Sequence, residues 1–163
     1  MSVLIGFMPP LFLIVHALTF NETLLRLFAG VVLGVLIGLE REWRSRTAGV
    51  HTSGLVAAGG ALFCLAAPAL GETAGDPMRA LAAVAQGVGF LAGGVILKQG
   101  MSVSGLNTAA TIWATAAVGA LAGVGLIREA AMGAVTIVGV NLIFNPIVDA
   151  INRFTAKHPP KET

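Results

Sequence analysis

No lysine or arginine lies between Arg46 and Arg79, between Arg79 and Lys98, between Lys98 and Arg128, or between Arg128 and Arg153. Each gap holds an apolar run close to the ~17–25 residues that a membrane-spanning helix requires. A chain of 163 residues has too little interior to hide four or five such runs from water. Only 11% of the residues are charged, and the mean hydropathy is +0.86. A soluble domain carries roughly 25% charged residues. The pattern therefore predicts an all-α, polytopic transmembrane helix bundle.

Five spans can be placed: about 24–39, 54–70, 80–97, 106–126 and 130–151. The linkers are short, so consecutive spans should pack antiparallel. Asp76-Pro77 reads as a helix start, because Asp caps a first turn and Pro suits the first helical position. Residues 1–20 form a further apolar segment, interrupted by Pro9-Pro10. It lacks a basic n-region and a small-residue cleavage site, so it does not read as a cleaved signal peptide. Both an interfacial helix and a sixth span are compatible with it. Residues 21–151 then constitute one transmembrane domain, and residues 152–163 a polar tail.

The cations divide unequally between the two ends of such a bundle. With the first linker in the cytoplasm, Arg41, Arg44, Arg46, Lys98, Arg153, Lys157 and Lys161 are inside, and Arg26, Arg79 and Arg128 outside. That bias predicts a cytoplasmic C-terminus in a bacterial inner membrane. The net charge of +2 is small and scattered along helix ends, which suits lipid headgroups and excludes a nucleic-acid surface. Cys64 is the single cysteine, so no disulfide within the chain and no cysteine metal cluster is possible. The chain contains no phosphate loop and no nucleophile–base pair, and it is not expected to be an enzyme.

Because lipid is as apolar as leucine, helices in a bilayer associate through close packing and polar contacts. Gly30, Gly34 and Gly38 recur every four residues and so share one face of the first span, forming a glycine zipper. Gly89 with Gly93, and Gly119 with Gly123, repeat the spacing on the third and fourth spans. The helix that fills each groove could belong to the same chain or to a second copy.

Several polar residues stand out against this background. Glu40 is the innermost charge of the first linker and continues the face of Gly38, although a plain Glu40–Arg44 pair at i,i+4 would also account for it. Asp76 and Arg79 stand at the outer mouth, as a helix cap or as an exposed carboxylate. Asp76, with Glu40, is the best available candidate for Mg²⁺, an ion that keeps most of its waters and uses few carboxylates. Gln86 lies one turn inside the third span. Thr108, Thr111 and Thr115 share a face of the fourth, where Thr can also bond its own helix backbone. Facing Gln86, they would form a polar seam. Asn141, Asn145 and Asp149 line one face of the last span, in which Pro146 removes a backbone donor.

Five segments in order resemble the signature of the MgtC/SapB family. They are residues 38–42 (GLERE), residues 46–52 (RTAGVHT), Asp76-Pro77 with Arg79, residues 87–96 (GVGFLAGGVI) and residues 105–113 (GLNTAATIW). The resemblance implies a multi-spanning inner-membrane protein linked to Mg²⁺ limitation and, in pathogens, to virulence. It implies action through a membrane partner such as ATP synthase, with direct transport of Mg²⁺ or another cation as the alternative. By match to these motifs, Glu40, Arg41, Arg46, Thr52, Asp76, Arg79, Asn107, Thr108 and Thr111 are the residues to which function would attach. His51 stands where the family commonly has Arg, and Ala83 where a Gln is common, with Gln86 at a small-residue position. The C-terminus resembles the short, SapB-like form, without the soluble domain of the MgtC branch. A homodimer is the expected assembly.

Overall fold

A computed structural model describes residues 18–67 and 77–157, which form five helices and one small hairpin. Helix α1 is Phe20–Trp43, α2 is Val50–Ala66 and α3 is Pro77–Gly93. Strands β1 (Leu97–Gln99) and β2 (Ser102–Ser104) follow, then α4 (Leu106–Gly123) and α5 (Ile127–Lys157). Residues 1–17, Asp76 and the last residues of the tail lie outside the described part.

Local chemistry sets the helix ends. Thr19 caps α1 by accepting from the Glu22 amide at 3.3 Å, while the Glu22 carboxylate accepts from the Thr19 amide at 3.0 Å. This reciprocal pair satisfies two amides that no helical carbonyl can reach. Helix α3 begins at Pro77, as the Asp76-Pro77 signal predicts. It stops at Gly93 rather than near Leu97, because Gly93-Gly94 ends the helix and Val95-Ile96 favours extended backbone. The hairpin pairs Leu97 with Ser104 and Gln99 with Ser102, turning at Gly100, whose φ is +60°. That hairpin is an element the hydropathy reading does not contain. At the other end of α4, Arg26 donates to the Gly123 carbonyl at 3.4 Å, setting a cation on the negative end of the helix dipole. Helix α5 continues through Pro146 to Lys157, six residues beyond the expected boundary, before the Pro159-Pro160 pair.

The distribution of side chains is inverted relative to a soluble protein. The interior is built of small residues: Ala57, Ala61, Ala116, Ala120, Ala122 and Ala130 are all buried. Apart from Ile37, which is buried, and Leu33, which packs on it, the large apolar groups of α1 face mostly outward, with Phe20, Leu25, Phe28, Leu36 and Leu39 each at least half exposed. Water would not tolerate so extensive an apolar exterior, whereas lipid tails solvate it. The protein is a membrane protein. Helices α1 and α4, and residues 127–148 of α5, are long and apolar enough to cross a bilayer, while α2 and α3 are shorter apolar helices of 17 residues.

Helix α4 lies against α1, α2, α3 and α5, and α1 also lies against α2 and α5. The α1–α2–α4 contact is close because glycine permits it. A Cβ added at Gly34 would come 2.5 Å from the Ala57 Cβ, and one at Gly119 would run into the Ala57 backbone. Gly38 and Gly123 meet α2 at similarly short range, and Gly30 more loosely, a Cβ there lying 3.3 Å from the Ala61 Cβ. Gly89 and Gly93 behave otherwise. Both are exposed on α3, and nothing in the described chain lies within 4 Å of a Cβ built on either. Their spacing is that of a packing motif, but their face of α3 turns away from the bundle.

Candidate functional site

The site forms where the C-terminal end of α1 meets the N-terminal ends of α2 and α4. Gly38 lets the start of α2 come so near that a Cβ there would lie 2.6 Å from the Val50 Cα. The connecting loop must therefore reverse tightly. Ser45 and Ala48 take left-handed backbone conformations to do so, with φ of 52° and 59°, at a cost of order 1–3 kcal/mol each. The turn is sealed by the Ser45 amide on the Glu42 carbonyl and the Arg46 amide on the Arg41 carbonyl, both at 2.9 Å. Glu42 completes the join by accepting from the Val50 amide at 3.3 Å. It does the work of an N-cap for α2, whose own cap position is Gly49.

Arg41 is enclosed by this arrangement and is only 1% exposed. Its Nε and Nη2 both donate to the Thr47 carbonyl, at 3.0 and 2.8 Å. Nη2 also donates to Thr108 Oγ1 at 2.8 Å, and Nη1 to Thr111 Oγ1 at 3.4 Å. Each hydroxyl oxygen accepts on a lone pair while its own proton remains available for another partner. Thr111 Oγ1 donates to the Asn107 carbonyl at 2.9 Å, and Thr115 Oγ1 to the Thr111 carbonyl at 2.7 Å. Thr47 Oγ1 and Thr108 Oγ1 share a further bond of 3.1 Å. One guanidinium thus ties α1, the α1–α2 loop and α4 together through neutral oxygen atoms.

Glu40 lies beside it, 8% exposed. Its Oε2 accepts from Asn141 Nδ2 of α5 at 3.2 Å. Its Oε1 sits 3.2 Å from Arg44 Nε, an ion-pair contact without hydrogen-bond alignment. The i,i+4 pairing expected of Glu40 and Arg44 is present. A second bond, to Asn141, links α1 to the last helix.

The other sequence-selected residues lie elsewhere. Gln86 is exposed on α3 and does not meet Thr108, Thr111 or Thr115. Thr108 and Thr111 meet Arg41 instead, while Thr115 bonds the Thr111 carbonyl of its own helix, so the expected seam with Gln86 is corrected. Arg46 is exposed on the loop, Thr52 on α2 and Arg79 on the first turn of α3, at the opposite end of the bundle. Asn107 contributes its carbonyl at the start of α4. Asp76 lies outside the described residues. Among the described residues no group of three or more His, Cys, Asp or Glu could hold a metal. The sequence set Asn141 in a row with Asn145 and Asp149 without any sign of its bond to Glu40, and Thr47 and Glu42 stood only inside the family motifs. Thr47 acts mainly through its backbone carbonyl, which no side-chain pattern reports. A polar amide within the apolar helix was the available signal for Asn141.

The MgtC family model matches residues 27–150, a stretch that contains Glu40, Arg41, Thr47, Thr108, Thr111 and Asn141. The chain belongs to the MgtC family. Within it, the chain is 42% identical to Protein MgtC of Salmonella typhimurium over 130 residues, which is 80% of this chain and 55% of that protein. It is 46% identical to Protein MgtC of Brucella abortus over 120 residues, 74% of this chain and 50% of that one. An uncharacterised protein of Synechocystis is 49% identical over 132 residues, 81% and 56% of the respective chains. This MgtC-family chain therefore spans about half the length of the curated relatives it matches. No solved structure matches it.

Proposed function

We propose that this chain is a non-enzymatic protein of the bacterial inner membrane that serves adaptation to low Mg²⁺. It acts by presenting a rigid cytoplasmic face to a membrane partner or an ion. The observation that carries the reading is the enclosed Arg41, bonded to Thr47, Thr108 and Thr111. A cation held at a membrane boundary among neutral acceptors is costly, and such residues mark function in membrane helices. Its placement makes the α1–α2 loop, the start of α4 and, through Glu40 and Asn141, α5 into one unit. The loop carries Arg44 and Arg46, so the positive-inside rule favours the cytoplasmic side for this end, for the hairpin and for the C-terminus.

The same geometry argues against Glu40 as a carrier's ion ligand. Its oxygens are turned to Asn141 and Arg44, and a permeating Mg²⁺ would meet the fixed charges of Arg41 and Arg44. Homodimer formation and modulation of a partner such as ATP synthase remain in keeping with this reading. The test couples complementation to flux. Arg41→Gln should abolish rescue of growth at limiting Mg²⁺, while the purified wild-type protein in liposomes should pass no Mg²⁺. Mg²⁺ flux that is lost in Glu40→Gln would overturn the proposal in favour of transport.

A further inference from the structure

Helices α2 and α3 touch only lightly, and the space between them is a lateral groove of about 620 Å³. Its floor includes Val56 and Val84, which join the core around Ala116 and Ala120. Gly59 and Gly87 widen it, since a Cβ built on either meets nothing within 4 Å. Phe63 and Leu91, both mostly exposed, form the lips. The lining is apolar except at one end, where His51 and Thr52 stand in the first turn of α2. We propose that this groove binds one anionic phospholipid, an acyl chain lying between α2 and α3 and the phosphate meeting His51 and Thr52.

Three observations point to this occupant. The groove runs from His51 to Phe63, twelve residues of helix, or about 18 Å at 1.5 Å per residue. One leaflet of hydrocarbon is about half of ~30 Å. The groove is therefore as deep as a single acyl chain and too short for a whole spanning helix. Its polar end also carries the right groups. An imidazole N–H and a hydroxyl both donate to phosphate oxygens, and the positive end of the α2 dipole points the same way. Finally, the chain's cations gather at that end. Ala48 and Val95 pack on one cluster, which brings together the loop carrying Arg46 and the hairpin carrying Lys98, whereas Arg44 is turned to α5. Basic groups so placed between membrane helices attract anionic headgroups.

The full chain, reconstituted with equal parts of phosphatidylglycerol and phosphatidylethanolamine and extracted into mild detergent, can be weighed by native mass spectrometry. The wild type should retain one phosphatidylglycerol per chain. Gly87→Leu, which fills open space, should cut retention about tenfold, corresponding to roughly 1.4 kcal/mol. The double substitution His51→Leu with Thr52→Val should leave a lipid bound but abolish the preference for phosphatidylglycerol. Circular dichroism of each variant establishes that it is folded. Equal retention by wild type and a folded Gly87→Leu overturns the proposal. So does cross-linking of two copies through Gly59→Cys in a Cys64→Ala background, which would assign the groove to a second chain.

Discussion

Arg41 and Thr108 are 67 residues apart in sequence, yet a hydrogen bond of 2.8 Å joins them inside the bundle. Through it the last turn of one helix is fixed to the first turn of another, with the intervening loop held in the same grip by the Thr47 carbonyl.

Arg41→Lys should behave as a loss rather than a conservative change. A lysine retains the charge but cannot set two nitrogens on the Thr47 carbonyl while reaching Thr108. Hydrogen bonds to charged groups contribute about 1.5–3 kcal/mol. Thermal unfolding in detergent should fall by several degrees, and an Arg41→Lys protein as stable as wild type would contradict the network described.

Substituting Asn141→Leu removes the donor to the buried Glu40 Oε2 while keeping an apolar group of similar size. Leaving a buried acceptor unsatisfied costs about 1–3 kcal/mol. Loss of stability in Asn141→Leu that disappears in a Glu40→Met background, which removes the acceptor, would show that the two residues act as a pair; additive losses would show that they do not.

Glycines of identical spacing should respond in opposite ways. Gly119→Ala drives a methyl into the Ala57 backbone and should destabilise by about 1–3 kcal/mol through overpacking. Gly89→Ala enters open space and should be neutral, or stabilising by up to about 1 kcal/mol from helix propensity. Denaturation midpoints of the two variants decide the matter, and a reversed order would refute the packing.

Glu42→Ala should loosen the start of α2. Losing a cap costs about 1 kcal/mol, and the effect should appear as faster amide exchange at Val50 and Ser53, with little change at α5.

Membrane orientation can be read with single cysteines. Met101→Cys, at the hairpin tip, and Arg46→Cys should react with an impermeant thiol reagent from the cytoplasmic side, and Arg79→Cys from the opposite side. Reaction of Met101→Cys and Arg79→Cys from one side would rule out the antiparallel order of α3.

The amino-acid order alone determined that the chain is a helical membrane bundle, because uncharged runs of spanning length have one inexpensive environment. It also determined the starts of α3 and α4, the face shared by Gly30, Gly34 and Gly38, and the family, through motifs that survive as contiguous letters. Periodicity could not say what each face meets. Gly34 and Gly89 look alike in sequence, yet one lies against Ala57 and the other faces away from the bundle. Only the tertiary structure decided that Arg41, on paper a cation of a solvated linker, is enclosed, and that Thr108 and Thr111 answer to it instead of to Gln86. The reason is that burial and hydrogen-bond partnership are properties of several helices at once. A backbone carbonyl such as that of Thr47 carries no residue-type signal, and its role exists only after the loop has folded over the guanidinium.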